Sequence, residues 1–206
     1  MKKASGAQIE FILWDIGEVL QFPFERVFLQ ELAKMVRVDF QTLWQIRRWG
    51  ELVSGKISER DYIRVYVGRF NLSIAEVQQL YDSYFYLSLD ETLAILRRLP
   101  FLGHGILSNH YSRAWEWLRR HDLLDMIPES HILLSSEIGV AKPDVAAYEL
   151  ALKRLNKDPG SIVFIDNMQR NLVPAQILRM HAMRFGSPIQ LCGELARLGV
   201  HGLLAS

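Results

Sequence analysis

Five short apolar runs are spaced along the chain with helical patterns between most of them: IEFILW (9–14), HGILSN (104–109), HILLSS (131–136), SIVFIDN (161–167) and HAMRFG (181–186). Their length and their β-branched and aromatic content mark them as buried strands. The segments 90–99, 111–122, 143–155, 169–179 and 188–198 repeat apolar residues at helical spacing. Strands and helices alternating at this length predict an α/β fold, a Rossmann-like parallel sheet with helices on both faces.

From Phe22 to Leu87 the alternation stops and only helical patterns remain. Ser58 is followed three residues later by Asp61, and Ser73 by Glu76, openings in which the serine oxygen and the acid satisfy free amides at a helix start. An inserted all-helical cap is therefore expected over 22–86, with a discontinuous core formed by 1–21 and 87–206. The chain shows no internal repeat, low-complexity tract or proline-rich linker.

Composition narrows the function classes. A chain of 206 residues, 50% hydrophobic, can bury a full core. Its 24 basic and 23 acidic residues are dispersed, so neither a nucleic acid nor a membrane surface is expected as a partner. Cys192 is the single cysteine and cannot form an internal disulfide; it reads as a small buried apolar residue. The opening MKKASGAQIEFILWD has its apolar run cut by Glu10 and ended by Asp15, too short for a leader or a span, so a cytoplasmic protein is expected. The oligomeric state has no signal in the sequence.

In an open parallel sheet, ligands bind beyond the carboxyl ends of the strands. The residues there are Asp15, Ser108 with Asn109, and Asp166 with Asn167. Each alone could be a helix cap or a turn former; their recurrence at three strand ends points to one crevice. Lys142 precedes Pro143, read as a first-turn helix residue, which would fix the lysine at a helix N-terminus where it could neutralise an anionic oxygen. His110 is placed at the crevice rim, where it could touch a substrate or stand in for an acid. Arg47 and Arg48 could face the crevice, though a solvated face is the plainer reading. The six histidines lack the spacing of a zinc site, and Trp44, Trp49, Trp115 and Trp117 read as packing residues.

These residues resemble the four motifs of the haloacid dehalogenase-like hydrolase superfamily: Asp15 in LWDIGEVL, Ser108 in GILSN, Lys142 in KPD, and Asp166, Asn167 and Asn171 in FIDNMQRN. The chain is similar to its small, helical-capped branch, related to bacterial glucose-1-phosphate phosphatases and to the amino-terminal domains of epoxide hydrolases. The resemblance implies a phosphatase acting on a small phosphorylated metabolite, with a sugar phosphate as one candidate. Asp15 would be the nucleophile and form an aspartyl-phosphate. Mg2+ would be held by Asp15, the backbone carbonyl of Gly17, Asp166 and Asn167. Ser108, the Asn109 amide and Lys142 would bind the phosphoryl oxygens.

Two positions depart from the pattern. Gly17 stands where the family has a second acid, whose proton transfers contribute typically ~10²- to 10⁴-fold, so slow turnover is expected. Asn167 stands where many relatives have an acid, so weak magnesium binding is expected. A non-catalytic phosphate-binding or protein-interaction relative is the alternative reading. A metal-independent carbon–halogen hydrolase is a third, against which FIDNMQRN departs from the fourth motif such enzymes carry.

Overall fold

A computed structural model describes residues 8–202. The first seven residues of the opening read above as no leader, with both its lysines, therefore lie outside the described residues. Among those described, the chain forms five strands, β1 (Phe11–Trp14), β2 (Gly103–Ser108), β3 (Ile132–Leu134), β4 (Ile162–Asp166) and β5 (His181–Arg184). All pair in parallel in the order β3-β2-β1-β4-β5. The expected Rossmann-like α/β sheet is the observed one. β1 lies at its centre, so the end of β1 is flanked directly by the ends of β2 and β4.

Side chains alternate across the sheet, and both faces are covered, as a parallel sheet requires. Phe11, Leu13, Leu107, Leu133, Ile162 and Phe164 face one apolar cluster, closed by α9 (Val145–Leu155) and α10 (Gln169–Ile177). Ile12, Trp14, Ile106, Leu134, Val163 and Ile165 face the other, closed by α6 (Asp90–Arg97), α7 (Ala114–Arg120) and α11 (Pro188–Arg197). Gly103 lies where Phe11 crosses its neighbour strand: a Cβ there would sit 2.4 Å from Phe11 Cδ2.

Five helices occupy the stretch between β1 and α6: α1 (Phe24–Val36), α2 (Phe40–Ile46), α3 (Trp49–Val53), α4 (Glu59–Phe70) and α5 (Ile74–Phe85). Both serine-headed capping boxes form, with Ser58 and Ser73 as N-caps of α4 and α5. The chain leaves and returns through a narrow neck, where Phe22 N–H donates to Leu87 O at 3.1 Å and Leu89 N–H to Leu20 O at 2.8 Å. Phe24, Phe28, Tyr62, Tyr66, Tyr81 and Phe85 pack mainly edge to face inside the insertion. They share one continuous cluster with the Trp14 face of the sheet. Polar contacts reinforce the join: Arg113, before α7, reaches Glu59 and Asp82 at 2.7 Å each, and Ser135 Oγ donates to Val53 O at 2.5 Å.

Some boundaries differ from the sequence reading. The strand expected over 131–136 ends at Leu134, because Ser135–Ile138 turns into the short helix α8. The helix expected from 111 begins at Ala114. Pro143 is not a first-turn residue: Asp144 is the N-cap of α9, accepting from Ala146 N–H at 3.0 Å, and the helix starts at Val145. No helix among the described residues is long and apolar enough to cross a membrane.

Candidate active site

Asp15 follows β1 and is 7% exposed. Its Oδ1 accepts from Ile16 N–H at 2.8 Å and Ser108 Oγ–H at 2.7 Å, and lies 3.0 Å from Lys142 Nζ. Among the described residues nothing donates to its Oδ2. One carboxylate oxygen is thus fixed from three directions while the other is left for an incoming group.

Lys142 Nζ also donates to Asp166 Oδ2 at 2.6 Å, so one buried ammonium joins two carboxylates. Asp166, at the end of β4 and fully buried, accepts further bonds from Met168 N–H at 2.8 Å and from Asn171 Nδ2 at 2.9 and 3.0 Å. It is the structural anchor of the cluster, with its oxygens already engaged. Asn171 Oδ1 is buried without a partner among the described residues.

The expected helix N-terminus does not hold Lys142. Asn109 does: its Nδ2 donates to Lys142 O, and Lys142 N–H donates to its Oδ1, both at 2.8 Å. The amide of one side chain thereby fixes both ends of the lysine's own residue, across 33 positions of sequence.

Burial pushes the Asp15 carboxyl up to about 6; Lys142 works against that shift, and Asp166 adds to it. At neutral pH the ionised form prevails. Burial by itself would favour neutral Lys142, yet Asp15 and Asp166 together outweigh it and hold the ammonium above its ordinary value. Two carboxylates and one ammonium leave the cluster one negative charge.

His110 is not at the rim. It is 1% exposed, surrounded by the rings of Phe24, Trp49, Phe85 and Tyr111, with Nδ1 accepting from Tyr111 N–H at 3.0 Å and Nε2 facing Gln21 Oε1 at 3.1 Å. Burial lowers its pKa to about 4, so it is neutral at pH 7. A ring enclosed in this way is a packing element beside the neck, and the substrate contact expected of it is corrected accordingly. Arg47 is turned toward the insertion, where its guanidinium stacks on Trp44 at 3.3 Å and its Nε lies 3.5 Å from Glu25.

Magnesium can be weighed on the donor set. The carbonyl of Gly17 and Asn167 Oδ1 accept no hydrogen bond among the described residues, and with the carboxylates of Asp15 and Asp166 they make an all-oxygen set, the ligand type a hard cation takes. The residues fit a hard cation, with few charges to hold it: no group of three or more His, Cys, Asp or Glu side chains is placed for a metal among the described residues.

Glu18 is the residue the motif reading passed over. It takes a left-handed backbone conformation (φ 57°), and its Oε2 accepts from Asn167 Nδ2 at 3.3 Å. The only hint in the sequence was an acid three residues after Asp15.

A family model described as haloacid dehalogenase-like hydrolase matches residues 15–169. The chain belongs to the haloacid dehalogenase-like hydrolase family. The chain is 28% identical over 162 residues to acyl-CoA dehydrogenase family member 10 of Mus musculus, a match covering 73% of this chain and 15% of that protein. It is 30% identical over 95 residues to the sesquiterpene phosphatase astK of Aspergillus oryzae, covering 46% of this chain and 42% of that one. The chain thus matches under half the length of either curated relative.

Among solved structures, a HAD family enzyme from Bacteroides thetaiotaomicron in complex with magnesium and inorganic phosphate superposes with a TM-score of 0.69 at 18% identity, over 85% of this chain and 93% of that one. The L-2-haloacid dehalogenase of Xanthobacter autotrophicus with chloropropionic acid covalently bound gives 0.64 at 16% identity, over 92% and 83%. These likenesses show the fold that the chain shares with both.

Proposed function

We propose that this HAD-like hydrolase is a phosphatase of small phosphorylated metabolites, working through an aspartyl-phosphate on Asp15. The observation that carries the reading is the asymmetry of Asp15: Oδ1 is tied to Ser108, Lys142 and Ile16 N–H, and Oδ2 is free to attack. In the first step Oδ2 bonds to phosphorus and the ester oxygen departs. In the second, water attacks the same phosphorus, releasing phosphate and restoring the carboxylate.

Lys142 keeps the nucleophile ionised and, with Ser108, is placed to stabilise charge on the transferring group. Asp166 and Asn109 keep the lysine in place. Asp15, the Gly17 carbonyl, Asp166 and Asn167 would hold Mg2+, which supplies Lewis-acid stabilisation of phosphoryl charge when bound. Nothing at position 17 can pass a proton to the departing oxygen, so good leaving groups are favoured. We further propose that residues 22–86 act as a cap that selects the substrate over a core formed by 1–21 and 87–206.

The test is phosphate release from sugar phosphates, an aryl phosphate and a prenyl-type phosphate, the last because a sesquiterpene phosphatase is among the relatives. Each is assayed with magnesium and with chelator, for the protein and for Asp15→Asn. Magnesium-dependent release that the substitution abolishes supports the phosphatase. Halide release from 2-chloropropionate would move the assignment to carbon–halogen hydrolysis, and binding of phosphate without any turnover would move it to a non-catalytic relative.

A further inference from the structure

The positions that should supply acids beside the phosphoryl site, Gly17 and Asn167, are both uncharged, yet a carboxylate stands next to them. Glu18 is in the left-handed region (φ 57°), where residues other than Gly, Asn and Asp are disfavoured. The chain keeps an ill-suited residue at a strained position, and such positions cluster at functional sites. In this conformation Oε2 accepts from Asn167 Nδ2 at 3.3 Å, and Oε1 accepts from Arg26 Nη2, also at 3.3 Å.

A carboxylate can only accept, so the NH2 end of the Asn167 amide is the end that must face Glu18. The carbonyl end, Oδ1, is turned away and accepts nothing among the described residues, like Asp15 Oδ2 and Gly17 O. The Glu18 side chain is 37% exposed, so its carboxylate is open to solvent and to ions.

We propose that Glu18 is the positioning residue of the divalent-cation site: it fixes Asn167 with its oxygen presented as a ligand and supplies the negative charge that Gly17 and Asn167 lack. Partners that orient metal ligands from behind commonly matter as much as this, at 10- to 100-fold in affinity, so about tenfold is expected for a half-exposed carboxylate. Arg26, paired with Glu18 through Oε1, opposes the cation by neutralising the same group. The inference rests on the magnesium-dependent phosphatase reading.

Calorimetric titration of Mg2+ into the full chain, without substrate, tests it, with Mn2+ and electron paramagnetic resonance as a second probe. Glu18→Gln should weaken binding about tenfold, Arg26→Gln should tighten it, and Glu10→Gln, on the far end of the sheet, should leave it unchanged. In an Asn167→Ala background, Glu18→Gln should have much less further effect. Glu18→Gly separates site from scaffold: relieving the left-handed strain should raise the melting temperature while affinity falls.

Equal affinities for the wild type and Glu18→Gln would overturn the inference and leave the phosphatase reading standing if phosphate is still released. A Glu18→Gly variant that loses stability without losing affinity would overturn it too, by making the residue structural. No uptake of either cation by the wild type would remove the cation site altogether, and the phosphate-release assay would then decide separately whether hydrolysis proceeds without it.

Discussion

Asn109 and Lys142 exchange two hydrogen bonds of 2.8 Å between the side-chain amide of one and the main-chain N–H and C=O of the other. The ammonium that serves both site carboxylates is aimed by its own backbone, and the backbone is held by a residue from the end of a different strand. Asn109→Ala should leave both peptide groups without these partners and cost about 1–3 kcal/mol in denaturant unfolding. It should also lower kcat by roughly ten- to a hundredfold with little change in KM, since the substrate's distal parts do not meet Asn109. Asn109→Asp can accept from Lys142 N–H but cannot donate to Lys142 O, and should recover only part of the loss.

Asp15 gives a pH signature that can be read without substrate. Its folded pKa, about 6, lies above its ordinary value of 3.8. A raised carboxyl contributes stability that is fully present below the unfolded pKa and is lost as pH rises through the folded one. In chelator, the stability of Asp15→Asn relative to the wild type should therefore increase between pH 4 and pH 7, by an amount on the order of 3 kcal/mol at most. Urea midpoints across that range check it; a difference that stays flat with pH would place the Asp15 carboxyl near its ordinary value.

Gly17 is open to repair. A Cβ at this position meets nothing within 4 Å, and the residue is absent from the glycines with positive φ. Gly17→Asp should fold normally and raise kcat toward the ~10²- to 10⁴-fold that general acid–base catalysis contributes. The gain should be large for alkyl phosphates and small for an aryl phosphate, whose leaving group departs unaided. Rates for a series of esters, plotted against leaving-group pKa, would show a shallower slope in the variant.

Arg113 ties the insertion to the sheet through Glu59 and Asp82 and lies over the Phe85 ring at 4.5 Å. Arg113→Met retains much of the apolar contact and removes the cation paired with Glu59, which keeps only the neutral donors Tyr111 Oη and Gln78 Nε2. A loss of roughly 3 kcal/mol is expected on removing one partner of such a pair. Chemical denaturation measures it, and Glu59→Gln in the same background should return part of it.

Gly103→Ala probes the sheet. The added methyl would meet Phe11 Cδ2 at 2.4 Å, too close to be absorbed without moving the ring. Overpacking of this kind costs typically about 1–3 kcal/mol. Combining it with Phe11→Leu should cost less than the sum of the two single substitutions in urea unfolding.

Much of the architecture was legible because it rests on local pattern. Each of β1, β2 and β4 is an apolar run ended by a polar residue, and that break marks where Asp15, Ser108 and Asp166 emerge. What was illegible depends on partners distant in the chain. His110 read as a rim residue because the rings that bury it, Phe24, Trp49 and Phe85, come from the insertion. The tail of HILLSS read as strand because nothing local shows that Ser135 Oγ is drawn to Val53 O. Lys142 was expected to owe its position to Pro143, when a side chain 33 residues earlier holds it. Glu18 was missed because its direction follows from a positive φ that no hydrophobic pattern reveals.

The neck at residues 20–22 and 87–89 brings the two ends of the insertion side by side, with Gln21 bridged to Ser88. The closure entropy of a loop grows only with the logarithm of its length, about 0.6 kcal/mol per doubling. A longer or shorter insert spliced between these ends would therefore tax the scaffold little, and the strand order would not need to change. What restricts the exchange is the underside: a replacement has to bring its own apolar surface to cover Trp14 and its neighbours. On the proposal that the insertion selects the substrate, that choice can be rebuilt by grafting at one junction, under a solubility constraint rather than a topological one.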